Sequence, residues 1–173
     1  MSSNLITGPL IEYRIEQHYV AIPIQATLKD RDKTRALISE ILDWISKKGL
    51  KPAGAPFYRY WCIGESEGEY SLEIGVPLEK MAAGDERMIA SSIPEGSYVI
   101  ALHKGHPDEL ENSVSEVEKW AQKQGLDLDK RWEEETEIWN GRFEQYLTDP
   151  DAEQDLFNWE IEISFLLLRD EAA

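Results

Sequence analysis

Ser39-Glu40-Ile41-Leu42-Asp43-Trp44-Ile45-Ser46-Lys47-Lys48-Gly49-Leu50 recurs 76 residues later as Ser115-Glu116-Val117-Glu118-Lys119-Trp120-Ala121-Gln122-Lys123-Gln124-Gly125-Leu126, with six of twelve positions identical and no gap. Both segments read as amphipathic helices. Leu37, Ile41, Trp44, Ile45 and Lys48 follow the i, i+4, i+7 spacing of one face, and Leu110, Val114, Val117 and Ala121 repeat it with Trp120 adjoining. Gly49 and Gly125 are stop residues, because glycine enters the left-handed conformation at little cost. Pro107 and Asp108 suit the opening turn of the second helix.

The repeat extends outward from the helices. Phe57-Tyr58-Arg59-Tyr60 matches Phe143-Glu144-Gln145-Tyr146 at an offset of 86. Tyr70-Ser71-Leu72-Glu73-Ile74-Gly75-Val76 matches Trp159-Glu160-Ile161-Glu162-Ile163-Ser164-Phe165 at an offset of 89. Upstream of each helix lies a strand candidate, Tyr19 to Thr27 and Ser97 to His103. Each half is therefore a β-α-β-β unit. The growing offset places ten extra residues between Leu126 and Phe143, on the acidic, tryptophan-bearing stretch 127–139, and three more near the turn signal Asp149-Pro150-Asp151.

The expected fold class is α+β: tandem duplicated β-α-β-β units forming one antiparallel sheet, with the helices on one face and an open central groove on the other. The whole chain, 1–173, is expected to be one domain, with pseudo-repeats at 10–80 and 93–168 and a linker at 81–92. The segment 81–94 reads as the connection between the halves.

Strand alternation then sorts the side chains. Leu72, Ile74 and Val76 should meet the helices, while Ser71, Glu73 and Gly75 face the groove. Likewise Trp159, Ile161, Ile163 and Phe165 point inward, and Glu162 and Ser164 point to the groove. In each copy the glutamate is followed by a minimal side chain two residues on, Gly75 or Ser164, which would leave room for a flat molecule beside the carboxylate. A lone strand glutamate is an ordinary solvent-facing residue; its recurrence at matched positions is what marks these two.

The chain holds six Trp, seven Tyr and four Phe. Trp44, Trp120 and Trp159 fall on apolar faces and read as core. Tyr60 and Tyr146 recur at matched positions and carry a hydroxyl that needs a partner, so they are candidate groove residues. Trp61, Trp132 and Trp139 are further candidates, the last two as a lid or wall within the insertion.

Net charge is −16, with 13 acidic and 11 basic residues in 1–88 but 21 acidic and 7 basic in 89–173. Such a chain repels phosphate backbones, so nucleic acid is not an expected partner. The acidity suits cationic or neutral ligands, though much of it reads as a solvated surface. No run approaches the ~20 apolar residues of a membrane span, and no signal peptide is read at the N-terminus. Cys62 is the sole cysteine, read as a buried structural thiol. That is compatible with a cytoplasmic location. His103 and His106 are three residues apart without a further ligand nearby, so neither metal nor cofactor is expected. Phosphate-loop, dinucleotide and nucleophile-elbow motifs are not found.

The ordered set Pro56-Phe57-x-x-Tyr60, Glu73-Ile74-Gly75-Val76-Pro77, Ile93-Pro94-Glu95-Gly96-Ser97-Tyr98, His103-x-Gly105, the helix ending at Trp120, Tyr146-x-x-Asp149-Pro150 and the Glu162 strand resembles the GyrI-like small-molecule-binding family. That domain is shared with the effector-binding part of multidrug-sensing regulators of the MerR and AraC types. The resemblance covers residues 10–168 and implies a duplicated β-α-β-β fold around a groove. It also implies an acidic residue on the last strand, here Glu162, at the groove's heart, and aromatics that stack on planar, often cationic drugs. Two departures stand out: Leu166 replaces the proline that Pro77 supplies in the first half, and Ser164 stands where an aromatic is common.

Two functions follow from the resemblance. Some stand-alone members are similar to hydrolases that open the cyclopropane of DNA-alkylating natural products. In that role Glu162 would be the general base, Tyr60 or Tyr146 would donate to the forming phenolate, Trp61, Trp132 or Trp139 would stack, and Glu73 would assist. The alternative is a binding module for an aromatic small-molecule ligand or drug, in sequestration or sensing. A DNA gyrase contact rests on the family name alone.

Overall fold

A computed structural model describes residues 6–25, 31–64 and 70–169 of the chain. The matched Gly-Leu pairs end both helices in the same way. In α1 (Arg31–Lys47), Gly49 N–H donates to Ser46 and Leu50 N–H to Ile45; in α2 (Leu110–Lys123), Gly125 donates to Gln122 and Leu126 to Ala121. Both glycines are left-handed, with φ of 69° and 70°. Each helix thus closes in a Schellman motif whose trailing leucine returns to the core. Pro107–Glu109 forms a 3-10 turn ahead of α2, with the His106 ring accepting from Asp108 N–H.

The strands are β1 (Ile6–Arg14), β2 (Gln17–Gln25), β3 (Phe57–Ile63), β4 (Tyr70–Pro77), β5 (Ile89–Ile93), β6 (Gly96–Lys104), β7 (Lys130–Glu133), β8 (Thr136–Trp139), β9 (Arg142–Tyr146) and β10 (Glu160–Leu166). They form one antiparallel α+β sheet in the order β1-β6-β10-β9-β3-β4-β2-β5, with β7 and β8 as a hairpin whose β8 joins β3. The expected strand at 19–27 begins two residues early, at Gln17; Ala26 and Thr27 lie outside the described residues. The ten-residue excess becomes the β7–β8 hairpin, turning at Glu134 with a left-handed φ of 56°.

The two copies meet where β3 pairs with β9, Tyr58 opposite Glu144, so the pseudo-twofold axis passes between these residues. α1 packs on β2 and β4 with Leu37, Ile41 and Ile45 against Val20, Ile22, Leu72 and Ile74. α2 repeats the arrangement, Leu110, Val114 and Val117 meeting Val99, Ala101, Ile161 and Ile163.

The repeat unit is larger than the sequence pattern shows. β5 arises largely from the expected linker, and β1 precedes the first strand expected in the first copy. Each copy is β-β-α-β-β, and the leading strands are exchanged: β1 pairs with β6 of the second copy, β5 with β2 of the first. The strand signal is weak because these edge strands carry Gly8 and Pro9 in one case and Ala90-Ser91-Ser92 in the other.

The exchange bends the sheet. β1 and β2 are joined by Ile15 and Glu16 alone, and β5 and β6 by Pro94 and Glu95 alone. Six strand positions separate the members of each pair, about 29 Å in a flat sheet, whereas two linking residues reach only about 11 Å. The sheet therefore curls until its two ends nearly meet, without a hydrogen-bonded closure among the described strands. The concave side is the face away from the helices. It is packed by a third cluster, Tyr19, Ala21, Phe57, Tyr98, Phe143 and Leu166, drawn from both halves.

Candidate functional site on the concave face

Two lateral rows of side chains cross the middle of the sheet. One runs Glu162–Gln145–Phe57–Gly75, the other Ser164–Phe143–Arg59–Glu73. The pseudo-twofold converts one into the other: Glu162 into Glu73, Phe57 into Phe143, Gly75 into Ser164. Gln145 and Arg59 are the charge-changing pair.

The small residues serve the protein's own rings. A Cβ on Gly75 would stand 2.7 Å from Phe57 Cζ, and Ser164 sits in register beside Phe143. The space expected to hold a flat ligand is therefore taken by Phe57 and Phe143. Their rings lie 5.8 Å apart at 71°, flanked by Tyr19 at 5.0 Å from Phe57 and Tyr98 at 6.2 Å from Phe143. These four rings floor the groove. They are also matched pairs, 57 with 143 and 19 with 98. Tyr60 and Tyr146 share the same repeat segments as Phe57 and Phe143, and the repeat by itself does not say which pair faces inward.

The two glutamates have different surroundings. Glu73 is 7% exposed; one oxygen accepts from Tyr19 Oη at 2.6 Å and the other from Trp61 Nε1 at 2.9 Å. Alternation from Arg59 puts Trp61 on the concave side, at a register shift between Tyr60 and Cys62. There the Arg59 guanidinium stacks 3.9 Å from the Trp61 ring centroid, with Phe143 5.3 Å away. Arg59 donates to Tyr19 Oη at 2.8 Å, Ser92 O at 3.0 Å and Asn140 O at 2.8 Å. Burial pushes the Tyr19 phenol up to about 12, so it remains a donor at any working pH. In this half both Glu73 oxygens and both Arg59 terminal nitrogens are taken by the protein's own groups.

Glu162 is more open. Arg14 Nη1 donates to its Oε1 at 2.7 Å, and the two side chains are 32% and 22% exposed. Beside them lies a cavity of about 40 Å³ lined by Arg14, Phe57, Ile93, Tyr98, Phe143, Gln145, Glu162 and Ser164. That is room for a water molecule, far below the ~300 Å³ of a small-molecule pocket. Tyr98 donates to Pro94 O at 2.6 Å, and burial pushes its phenol up to about 12.

Several expected site residues stand elsewhere. Tyr60 and Tyr146 face the helices, donating to Glu144 Oε1 at 2.9 and 3.4 Å. They are one residue out of phase with Arg59 and Gln145, and strand alternation puts them across the sheet from Glu162. Burial pushes the Tyr60 phenol well up and raises the Glu144 carboxyl. Trp139 is fully buried on the helix side, tilted on Phe165 at 5.1 Å. Trp132 is 61% exposed on the same face of the hairpin as Trp139 and Glu137, away from the groove. Glu73 is three strands across and two residues along from Glu162, about 16 Å over the sheet, and both its oxygens are occupied, so the two do not form a carboxylate pair. Of the expected set, Glu162, Ser164, Glu73, Gly75 and Trp61 are on the concave face. Arg14, Phe57, Phe143, Tyr98 and Gln145 join them as residues that sequence reasoning missed. Cys62 is partly exposed rather than buried. Among the described residues, no group of three or more His, Cys, Asp or Glu is placed to hold a metal, and no helix is long and apolar enough to cross a membrane.

The chain is thus a curled, duplicated α+β sheet whose concave face carries four aromatic rings and two carboxylates, each beside a guanidinium. The family model for the GyrI-like small molecule binding domain matches residues 9–167, and the chain belongs to that family. Solved structures share the fold. The EcmrR C-terminal domain superposes with a TM-score of 0.77 at 20% identity, over 94% of this chain and 98% of that one. EcmrR in a complex with DNA gives 0.78 at 20% identity, over 96% of this chain and 59% of that chain, so the present sequence spans a little over half of that protein. A hydrolase from Listeria innocua gives 0.62 at 14% identity, over 92% and 91%. Comparison with curated proteins gives no match.

Proposed function

We propose that this chain binds planar aromatic, hydrophobic or cationic small molecules on the concave face, at the Glu162 end. The observation that carries the reading is the placement of one partly exposed carboxylate beside a floor of aromatic rings contributed by both halves. Stacking on Phe57 and Phe143 would supply affinity, and Glu162 would favour a positive charge. The small resting cavity requires side chains to move on binding, as a curled sheet with unjoined edges permits. Titration with ethidium, followed by its fluorescence, tests this. Saturable micromolar binding that Glu162→Gln weakens supports the reading. Binding indifferent to that change, or no binding, overturns it.

The second reading adds hydrolysis of reactive cyclopropanoid electrophiles, a detoxifying role. It is favoured by the water-sized space next to Glu162, where a carboxylate could take a proton from an attacking water. The phenolate donor would then be Tyr98 or Arg14, since Tyr60 and Tyr146 face the other way. Incubation with a spirocyclopropane dienone, with ring-opened product followed by mass spectrometry, separates the readings. Binding without turnover leaves the first alone.

A further inference from the structure

The pseudo-symmetry makes Glu73 a template for what Glu162 lacks. Glu73 has Tyr19, Trp61 and the stacked Arg59 around it. At the equivalent positions around Glu162, Tyr98 turns to Pro94 O and Gln145 donates to Ala55 O at 3.0 Å. Leu147, the counterpart of Trp61, is exposed. Among the described residues, the side-chain partner of Glu162 is Arg14.

Arg14 has no charged counterpart in the second copy, where the pseudo-twofold places Ile93 at the equivalent position. It ends β1, the exchanged strand, next to the two-residue crossover into β2. Its partners are carboxylates, Glu12 at 2.7 Å and Glu162 at 2.7 Å, in contrast to Arg59, which is held by two backbone carbonyls and a ring stack. It lines the cavity together with Phe57, Phe143 and Glu162. A guanidinium so placed satisfies Glu162, and it occupies volume that a ligand's charged end would need.

We propose that Arg14 is a tethered cation seated in the Glu162 subsite, displaced by cationic aromatic ligands, and that residue 14 thereby sets the preference between cationic and neutral ones. This rests on the binding reading above. The asymmetry follows from charge pairing. A cationic ligand that expels Arg14 leaves Glu162 paired, and Arg14 keeps Glu12 and solvent. A neutral ligand that expelled it would leave a half-buried carboxylate unpaired, which is costly. Neutral ligands must therefore bind with Arg14 in place, and cationic ones must compete with it.

Ethidium and phenanthridine, the neutral parent ring system at pH 7.5, serve as probes. They are titrated into wild type, Arg14→Ala, Arg14→Met and Glu162→Gln, with folding verified by near-ultraviolet circular dichroism. Arg14→Met retains an unbranched stem should the alanine variant fail to fold. Both Arg14 variants are expected to bind ethidium about fivefold more tightly than wild type and phenanthridine within about twofold. Unchanged or weaker ethidium binding in the folded Arg14 variants, with Glu162→Gln still losing affinity, overturns the role of Arg14 and leaves the binding reading intact. Ethidium binding that ignores Glu162→Gln, or is missing in every variant, overturns the binding reading and this inference with it.

Discussion

Phe57 and Phe143 meet edge to face across the centre of the sheet, 5.8 Å between ring centroids, although 86 residues separate them in the chain. Each lies beside the small residue that its neighbouring strand provides, Gly75 for Phe57 and Ser164 for Phe143. The duplication thus builds a single aromatic floor from two copies, and the residues on either side of it decide where a ligand can enter.

Gly75→Ala tests the seat of Phe57. The new methyl would lie 2.7 Å from ring carbon Cζ, inside contact distance, so the ring must shift. A loss of about 1–3 kcal/mol is expected, read as a lower urea midpoint at unchanged slope. A variant as stable as wild type would show that Phe57 does not occupy this place.

The two glutamates should separate by stability. Glu73→Ala leaves the Tyr19 hydroxyl and Trp61 N–H without their acceptor and removes the carboxylate next to Arg59, costing about 2–4 kcal/mol. Glu162→Gln breaks a partly exposed ion pair and should cost less than about 1 kcal/mol. Urea unfolding of the two variants side by side reads the difference.

Glu144 predicts a pH dependence of one sign. Burial raises its carboxyl in the folded protein above the ordinary 4.5. Its contribution is then fully present below about 4.5 and is lost as pH rises through the folded value. Glu144→Gln, which cannot ionise yet still accepts from Tyr60, should gain stability relative to wild type between pH 4 and pH 8. A constant difference across that range would show that folding leaves the Glu144 carboxyl unshifted.

His103 predicts the opposite slope. It is buried, with Nδ1 2.6 Å from Ser113 Oγ and Nε2 3.1 Å from His106 O, and burial lowers its ring below the ordinary 6.5. The stability it confers is present above about 6.5 and is lost as pH falls toward the folded value, because the unfolded chain takes the proton first. The stability advantage of wild type over His103→Gln should therefore shrink between pH 8 and pH 5. Guanidinium unfolding at the two pH values measures it.

Much of the fold was legible in the chain. The Trp-Gly-Leu repeat located both helices and their Schellman ends because capping depends on a few local residues. Period-two alternation put Ile161, Ile163 and Phe165 in the core and Glu162 on the other face, since that sorting needs only the pleat. β1 and β5 were missed because their strand character comes from pairing with the opposite copy, which no local pattern records. Recurrence and a hydroxyl in need of a partner make Tyr60 and Tyr146 groove candidates in the sequence. Recurrence does not state a face, and placing them required the register of β3 against β4 and β9.

The sequence by itself determined a duplicated α+β unit, its helix ends and a recurring glutamate two residues before a small side chain. These are local properties, read at helix or strand spacing. Only the tertiary structure decided that the sheet curls, because curling follows from exchanged strands joined by two-residue crossovers. It also decided that the small residues admit Phe57 and Phe143, and that Glu73 is sealed while Glu162 meets Arg14. Those relationships join residues from distant parts of the chain, and their energies exist only once the two halves share one sheet.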